Sequence, residues 1–205
     1  VNSLGYGRFC GGKGLNQSIA LARAGADVHH AGKIGADGGM LRTALRKAGV
    51  EIQFIVLGDE PSGHAVIQVD RTGNNSIVLH GGANERISVD DIDAVFGNFT
   101  RGDYLLLQNE INGIDLIMKK AHEQGLSIVM NPAPMNEKVC AYPLEIVDTF
   151  ILNEIEGEGL TGYSDPSDIL STMQRKFPNA RIVLTLGAEG LKYRDTESDI
   201  SVPAD

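Results

Sequence analysis

The sequence predicts an α/β protein built on a largely parallel sheet with helices on both faces. Apolar, strand-like segments alternate along the chain with segments of helical periodicity. Four of the apolar segments end in polar residues, at Gln108, Asn131, Asn153 and Thr185–Gly187. Neither an internal repeat nor a low-complexity tract interrupts this rhythm.

Taken in order, "GLNQSIALARAGA" spaces small apolar residues as a helix does and stops at Gly25. "DVHHAGKIG" reads as a strand. "GMLRTALRKAG" puts Met40, Leu41, Ala44, Leu45 and Ala48 on one helical face before Gly49, and "IQFIVLG" follows as a strand. "HAVIQVD", "RTGN" and "NSIVLH" then read as a β-hairpin turning at Gly73 and Asn74. A hairpin inserted into a βαβ chain is a natural flap over a site. "SVDDIDAVF" opens with Ser88 and, three residues on, Asp91, the pattern of a helix N-cap. "DYLLLQ", "LSIVMN", "DTFILN" and "RIVLTLG" read as strands, with helices over "GIDLIMKKAHEQG" and "DPSDILSTMQRKF". Polar residues at the carboxyl ends of parallel strands mark where open α/β sheets bind ligands.

The chain has 205 residues, enough for one core, or one plus a small appendage. Its formal net charge of -9 argues against a general binder of nucleic acid or of membrane surfaces. No apolar run has the length of a membrane span, and no basic-then-apolar leader opens the chain. Cys10 and Cys140 match no metal spacing, so reduced thiols in a cytoplasmic protein are expected. The five histidines include no pair spaced to ligate a metal from one helix.

The stretch "GRFCGGKG" (7–14) imitates a phosphate-binding loop, but Gly14 stands where Ser or Thr must help hold Mg²⁺. A dinucleotide fingerprint fails as well. Gly5 and Gly7 call for a third glycine where Cys10 stands, which disfavours an oxidoreductase. What remains is a glycine-rich turn running into a helix, where backbone N–H groups can approach a ligand. Lys13 donates only, whereas the Asn16 amide donates and accepts, a combination suited to sugar hydroxyls. A turn shaped for tight helix packing, with Lys13 solvated, accounts for the same residues.

"GGKGLNQSIALARAG" resembles the first signature of the ribokinase branch of the PfkB carbohydrate kinases. The likeness continues in order through "GGAN" (81–84), "LLLQNE" (105–110), "NPAP" (131–134), "NEIE" (153–156) and "VLTLGAEG" (183–190). It implies a ribokinase-like three-layer α/β/α fold with a mostly parallel sheet, as one incomplete domain over residues 1–205. A small β lid would come from about residues 4–12 and 62–82. The implied activity is transfer of the ATP γ-phosphoryl group to a hydroxymethyl group of ribose or a related sugar. Gly11, Gly12, Lys13, Asn16 and Glu110 would bind the sugar, although Glu110 also reads as a charge at a strand mouth. Asn153, Thr185, Gly187 and Gly190 would serve ATP, and Glu156 would hold Mg²⁺ through water. A helix cap by Asn153, with Glu156 in the favourable first turn, fits the same letters. The resemblance further implies a monovalent cation such as K⁺ and a homodimer formed through the lid. It places the catalytic Asp downstream of Asp205, and the usual first strand before Val1, so the family pattern is truncated at both ends. An inactive relative that binds a sugar or a partner protein is the alternative.

Overall fold

A computed structural model of the chain describes residues 5–70 and 72–204. Leu4 of the expected lid, Arg71 of the hairpin turn and the terminal Asp205 lie outside the described residues. The chain separates into two compact units, residues 1–95 and 96–205.

In the first unit, helices α1 (Lys13–Arg23) and α2 (Gly39–Lys47) accompany strands β1 (Gly32–Ile34) and β2 (Ile55–Leu57). Leu15, Val28, Leu45, Val50, Ile52 and Ile55 form its core. The two strands run parallel and are shorter than the sequence predicts. A tight turn, closed by Ile55 N–H onto the Ile52 carbonyl at 3.1 Å, splits the ladder. Pairing before it survives as a bridge between His29 and Glu51.

The hairpin is present as β3 (His64–Val69) and β4 (Asn75–His80), antiparallel, with His64 opposite His80. Asp70 builds its loop. Its carboxylate accepts from the Thr72 hydroxyl at 2.6 Å, the Asn74 amide at 3.1 Å and the backbone N–H groups of both residues. These bonds, the Thr72 hydroxyl foremost, lower its pKa to about 2. The described part of the segment expected to share the lid, residues 5–12, contains no strand.

Helix α3 (Val89–Phe96) starts as its sequence implies. Ser88 N–H donates to Asp91 at 2.8 Å, and Asp91 N–H returns a bond to the Ser88 hydroxyl at 3.1 Å. The Asp91 carboxylate also takes Lys33 Nζ at 2.6 Å, a pairing across the unit that spacing does not reveal.

The second unit holds one six-stranded sheet. In space, β10 (Asp199–Val202) pairs β9 (Leu191–Arg194), followed by β8 (Arg181–Thr185), β7 (Thr149–Asn153), β6 (Ser127–Asn131) and β5 (Tyr104–Gln108). β5 to β8 are parallel, whereas β9 and β10 extend the edge antiparallel. Helices α4 (Ile114–Gln124), α5 (Glu154–Thr161) and α6 (Pro166–Lys176) complete the unit. Burial alternates along the central strands. Ile128, Met130, Phe150, Leu152, Ile182 and Leu184 are fully enclosed, while Val129, Ile151 and Val183 on the opposite face are half-buried. Burial is thus deeper on one face of these strands than on the other. Helices α5 and α6 pack over Leu152 through Gly157, where an added Cβ would lie 2.7 Å from Ile169 and 3.4 Å from Leu152.

Candidate active site

The carboxyl ends of four neighbouring parallel strands collect the polar residues at one edge of the second unit. Gln108 pairs with Asn131 across β5 and β6, and Asn153 pairs with Thr185 across β7 and β8. Glu110, Glu156 and Gly187 follow within three residues of those ends. Polar residues at the carboxyl ends of parallel strands are where open α/β sheets bind ligands.

Each end is stiffened by its own side chains. Asn131 Nδ2 donates to the Ile151 carbonyl at 2.7 Å, extending the join between β6 and β7 one residue past their backbone ladder. Thr185 Oγ1 donates to the Leu152 carbonyl at 3.3 Å, so its proton is used within the sheet and its lone pairs remain for a ligand.

Glu110 is held by the residue before it. Buried Asn109 donates its N–H to the Ala133 carbonyl at 2.9 Å and its Nδ2 to the Pro134 carbonyl at 2.7 Å. Its Oδ1 accepts from the Tyr142 hydroxyl at 2.7 Å. Burial, with a smaller contribution from the charge of Asp115, raises the Tyr142 pKa and keeps the phenol a donor. Two bonds thus lock the "QNE" turn to the "NPAP" turn, and a third ties it to Tyr142. Both motifs are legible in sequence, but Asn109 and Tyr142 carry no signal for the contact between them.

Asn153 caps α5. Its Oδ1 accepts Glu156 N–H at 3.0 Å, and Glu156 Oε2 accepts Asn153 N–H at 2.9 Å. The cap reading of these two residues is therefore realised, with the Glu156 side chain buried. Glu156 retains a second carboxylate oxygen, and Asn153 its Nδ2 donors. Among the described residues no three His, Cys, Asp or Glu side chains cluster to cage a metal. A Mg²⁺ ion near Glu156 fits this chain as an ion held by one carboxylate, water and phosphate oxygens, the usual arrangement for that ion.

Gly187 and Gly190 bound the turn after β8. Gly187 has φ +55 and open space where a side chain would stand. Gly190 has φ +93, and its missing Cβ would lie 2.0 Å from the Val202 carbonyl oxygen and 2.7 Å from Ala204 N. Close approach at Gly190 is thus made by the chain's own backbone as it leaves β10.

In the first unit, Gly12 takes φ +105 at the N-cap of α1, a backbone open chiefly to glycine, and makes no side-chain cap. The first turn carries no acidic residue. Where Asn153 and Asp165 supply caps to α5 and α6, the leading N–H groups of α1 get none from a capping side chain. Lys13 and exposed Asn16 stand one turn apart on the same face, with exposed Gly11 beside them.

The hairpin root carries a device absent from the sequence expectations. Buried Ser62 accepts Gly35 N–H at 3.0 Å and donates its hydroxyl to Asp37 at 2.9 Å. Ser62 N–H also donates to Asp37 at 2.9 Å. These bonds, the backbone one first, depress the Asp37 pKa. Ala83 N–H reaches the Pro61 carbonyl at 2.9 Å, tying the turn that follows the hairpin to the segment that enters it.

No helix among the described residues is long and apolar enough to cross a membrane. The chain is 33% identical over 190 residues to the ribokinase of Haemophilus influenzae, covering 88% of this chain and 62% of that protein. It is 32% identical over 202 residues to a bifunctional ribokinase/ribose-5-phosphate isomerase A of Fructilactobacillus sanfranciscensis, covering 94% of this chain and 37% of that one. It thus spans less than two thirds of the length of these relatives. The structure of Arabidopsis thaliana ribokinase complexed with ribose and ATP superposes with a TM-score of 0.78 at 26% identity, over 94% of this chain and 66% of that one. Residues 5–204 match the pfkB family carbohydrate kinase profile, and the chain belongs to that family.

Proposed function

We propose that the protein carrying this chain is an ATP-dependent sugar kinase acting on a hydroxymethyl group of ribose or a close relative. The observation that carries the reading is the row of strand ends Gln108, Asn131, Asn153 and Thr185, with Glu110 and Glu156 just beyond it. Transfer forms a sugar O–P bond and breaks the bond between the γ-phosphorus and the oxygen of ADP. The proton of the sugar hydroxyl passes to a base, which the family resemblance places downstream of Asp205.

Glu110, steadied through Asn109, accepts hydrogen bonds from sugar hydroxyls, a role that needs an oriented carboxylate. Lys13 and Asn16 contribute donors and one acceptor beside the glycine turn of Gly11 and Gly12. Thr185, Gly187 and Asn153 serve the nucleotide, and Glu156 holds Mg²⁺ through water. Gly190 supports that site indirectly, by letting β10 seat against the turn. Bound Mg²⁺ screens the charge of the triphosphate, and K⁺ is the monovalent ion in the same reading.

The hairpin acts as a lid, and a second copy of the chain covers its apolar face. Ile67, Ile77 and Leu79 share that face and are 58%, 52% and 69% exposed. A two-stranded hairpin with such a face is marginal alone. Both cysteines are free thiols, which suits a reducing, cytoplasmic setting.

The decisive assay couples ADP release by the full-length gene product to a recording enzyme across pentoses, hexoses and nucleosides. ATP turnover with ribose or a related sugar is expected, and no turnover with any of them refutes the reading. Sedimentation velocity tests the pairing: a monomer at every concentration removes the second copy.

A further inference from the structure

The strands of the hairpin begin and end in histidine. His64 opens β3, His80 closes β4, and the two lie directly opposite in the ladder. Both are exposed, so neither belongs to a packed core. Their rings stand with centroids 5.0 Å apart and planes inclined by 47°.

That separation has chemical meaning. With Zn–N bonds of about 2.0–2.1 Å and a ring nitrogen about 1.1 Å from its centroid, two imidazoles on one tetrahedral ion place their centroids about 5.2 Å apart. His64 Nδ1 lies 3.0 Å from the Ser62 carbonyl oxygen. A carbonyl only accepts, so Nδ1 carries the proton and Nε2 presents its lone pair. Histidines that ligate metals are held in this way, the ring N–H given to a carbonyl and the other nitrogen to the ion. Ser62 is itself buried and bonded to Asp37 and Gly35, so the carbonyl that orients the ring belongs to a fixed point.

We propose that His64 and His80 form a two-imidazole site for a borderline divalent cation such as Zn²⁺ at the root of the hairpin. Two protein ligands leave the remaining positions to water, in keeping with the lack of a larger ligand cluster among the described residues. The site is separate in chemistry from any Mg²⁺ ion, which selects oxygen ligands and does not compete for imidazole. Ligation clips the first residue of one strand to the last of the other and closes the hairpin at its base. The site does not depend on the kinase reading.

Zinc titration of the full chain in excess Mg²⁺, followed by calorimetry and by the ring ¹⁵N resonances of histidine, tests it. One ion per chain is expected at the tightest site, with His64 Nε2 shifting and Nδ1 remaining protonated. His64→Val and His80→Val keep β-forming residues in the strands, and each is expected to weaken that site about a hundredfold, as loss of a tethered second ligand does. Zinc affinity unchanged in the double variant overturns the proposal. Should a variant lose its hairpin, the wild-type spectrum still decides: no displacement of the His64 and His80 nitrogens on saturation also overturns it.

Discussion

Glu156 is where a structural and a chemical role meet, and two substitutions separate them. Its Oε2 accepts Asn153 N–H at 2.9 Å, and its charge lies in the first turn of α5. Glu156→Ala removes both. A hydrogen bond to a charged group contributes about 1.5–3 kcal/mol, and a carboxylate at a helix N-terminus about 0.3–1 kcal/mol. Since part of the lost bond is regained from water at the helix end, the expected cost is about 2–3 kcal/mol. At about 2–4 °C per kcal/mol for a chain of this size, the melting temperature falls by about 4–12 °C. Glu156→Gln keeps an acceptor oxygen in a geometry the capping box tolerates, so its cost stays near 1 kcal/mol, or about 2–4 °C. The proposed metal role makes the neutral isostere severe as well, because the charge is lost in both variants. In the full-length enzyme Glu156→Gln is expected to raise the Mg²⁺ concentration for half-maximal activity about tenfold or more, the scale seen when outer ligands of a metal are lost. Thermal melts and Mg²⁺ titrations of both variants provide the readout. Equal melting temperatures for Ala and Gln refute the cap energetics, and an unchanged Mg²⁺ requirement in Glu156→Gln refutes the metal role.

Gly190→Ala places a Cβ 2.0 Å from the Val202 carbonyl oxygen at φ +93. Backbone strain of about 1–3 kcal/mol, with the clash added, is expected to release β10, read as faster amide exchange in residues 199–202 while β6 and β7 stay protected. Exchange in 199–202 unchanged from wild type counts against that packing. Asp37 makes the hairpin root sensitive to acid. Its pKa is depressed by Ser62, with a small contribution from Arg8, so its bonds stabilise the root above the unfolded Asp pKa. That stability is lost as pH falls through the lower, folded value. Protection of the hairpin amides is therefore expected to hold down to the ordinary carboxylate range, about pH 4, and to decline below it. Asp37→Asn should show weaker protection at neutral pH and no such decline, and a profile identical to wild type refutes the assignment.

Much of the fold was legible because it rests on short-range rules. Helical periodicity and glycine stops marked α2 and α4, and the Ser88–Asp91 spacing announced the cap that starts α3. Strand ends at Gln108, Asn131, Asn153 and Thr185 were readable because apolar runs give way to polar letters there. Their assembly into one edge required the strand order, which no local pattern encodes. The shortness of β1 and β2 escaped because the turn before Ile55 breaks pairing with a partner more than twenty residues away. β9 and β10 escaped because four-residue strands have too few side chains to show a period.

By itself, then, the sequence determined the α/β class, the order of elements as far as β8, the hairpin and the set of motifs that define the family. Each is a property of neighbouring residues, where propensity, capping and alternation act over a few bonds. Only the tertiary structure decided what those residues do to one another. Asn109 locks to the "NPAP" turn, Ser62 to Asp37, His64 stands opposite His80, and Gly190 makes room for the chain's own strand. Such contacts depend on distances between remote segments, and those are settled when the core packs and each buried polar group must find its partner.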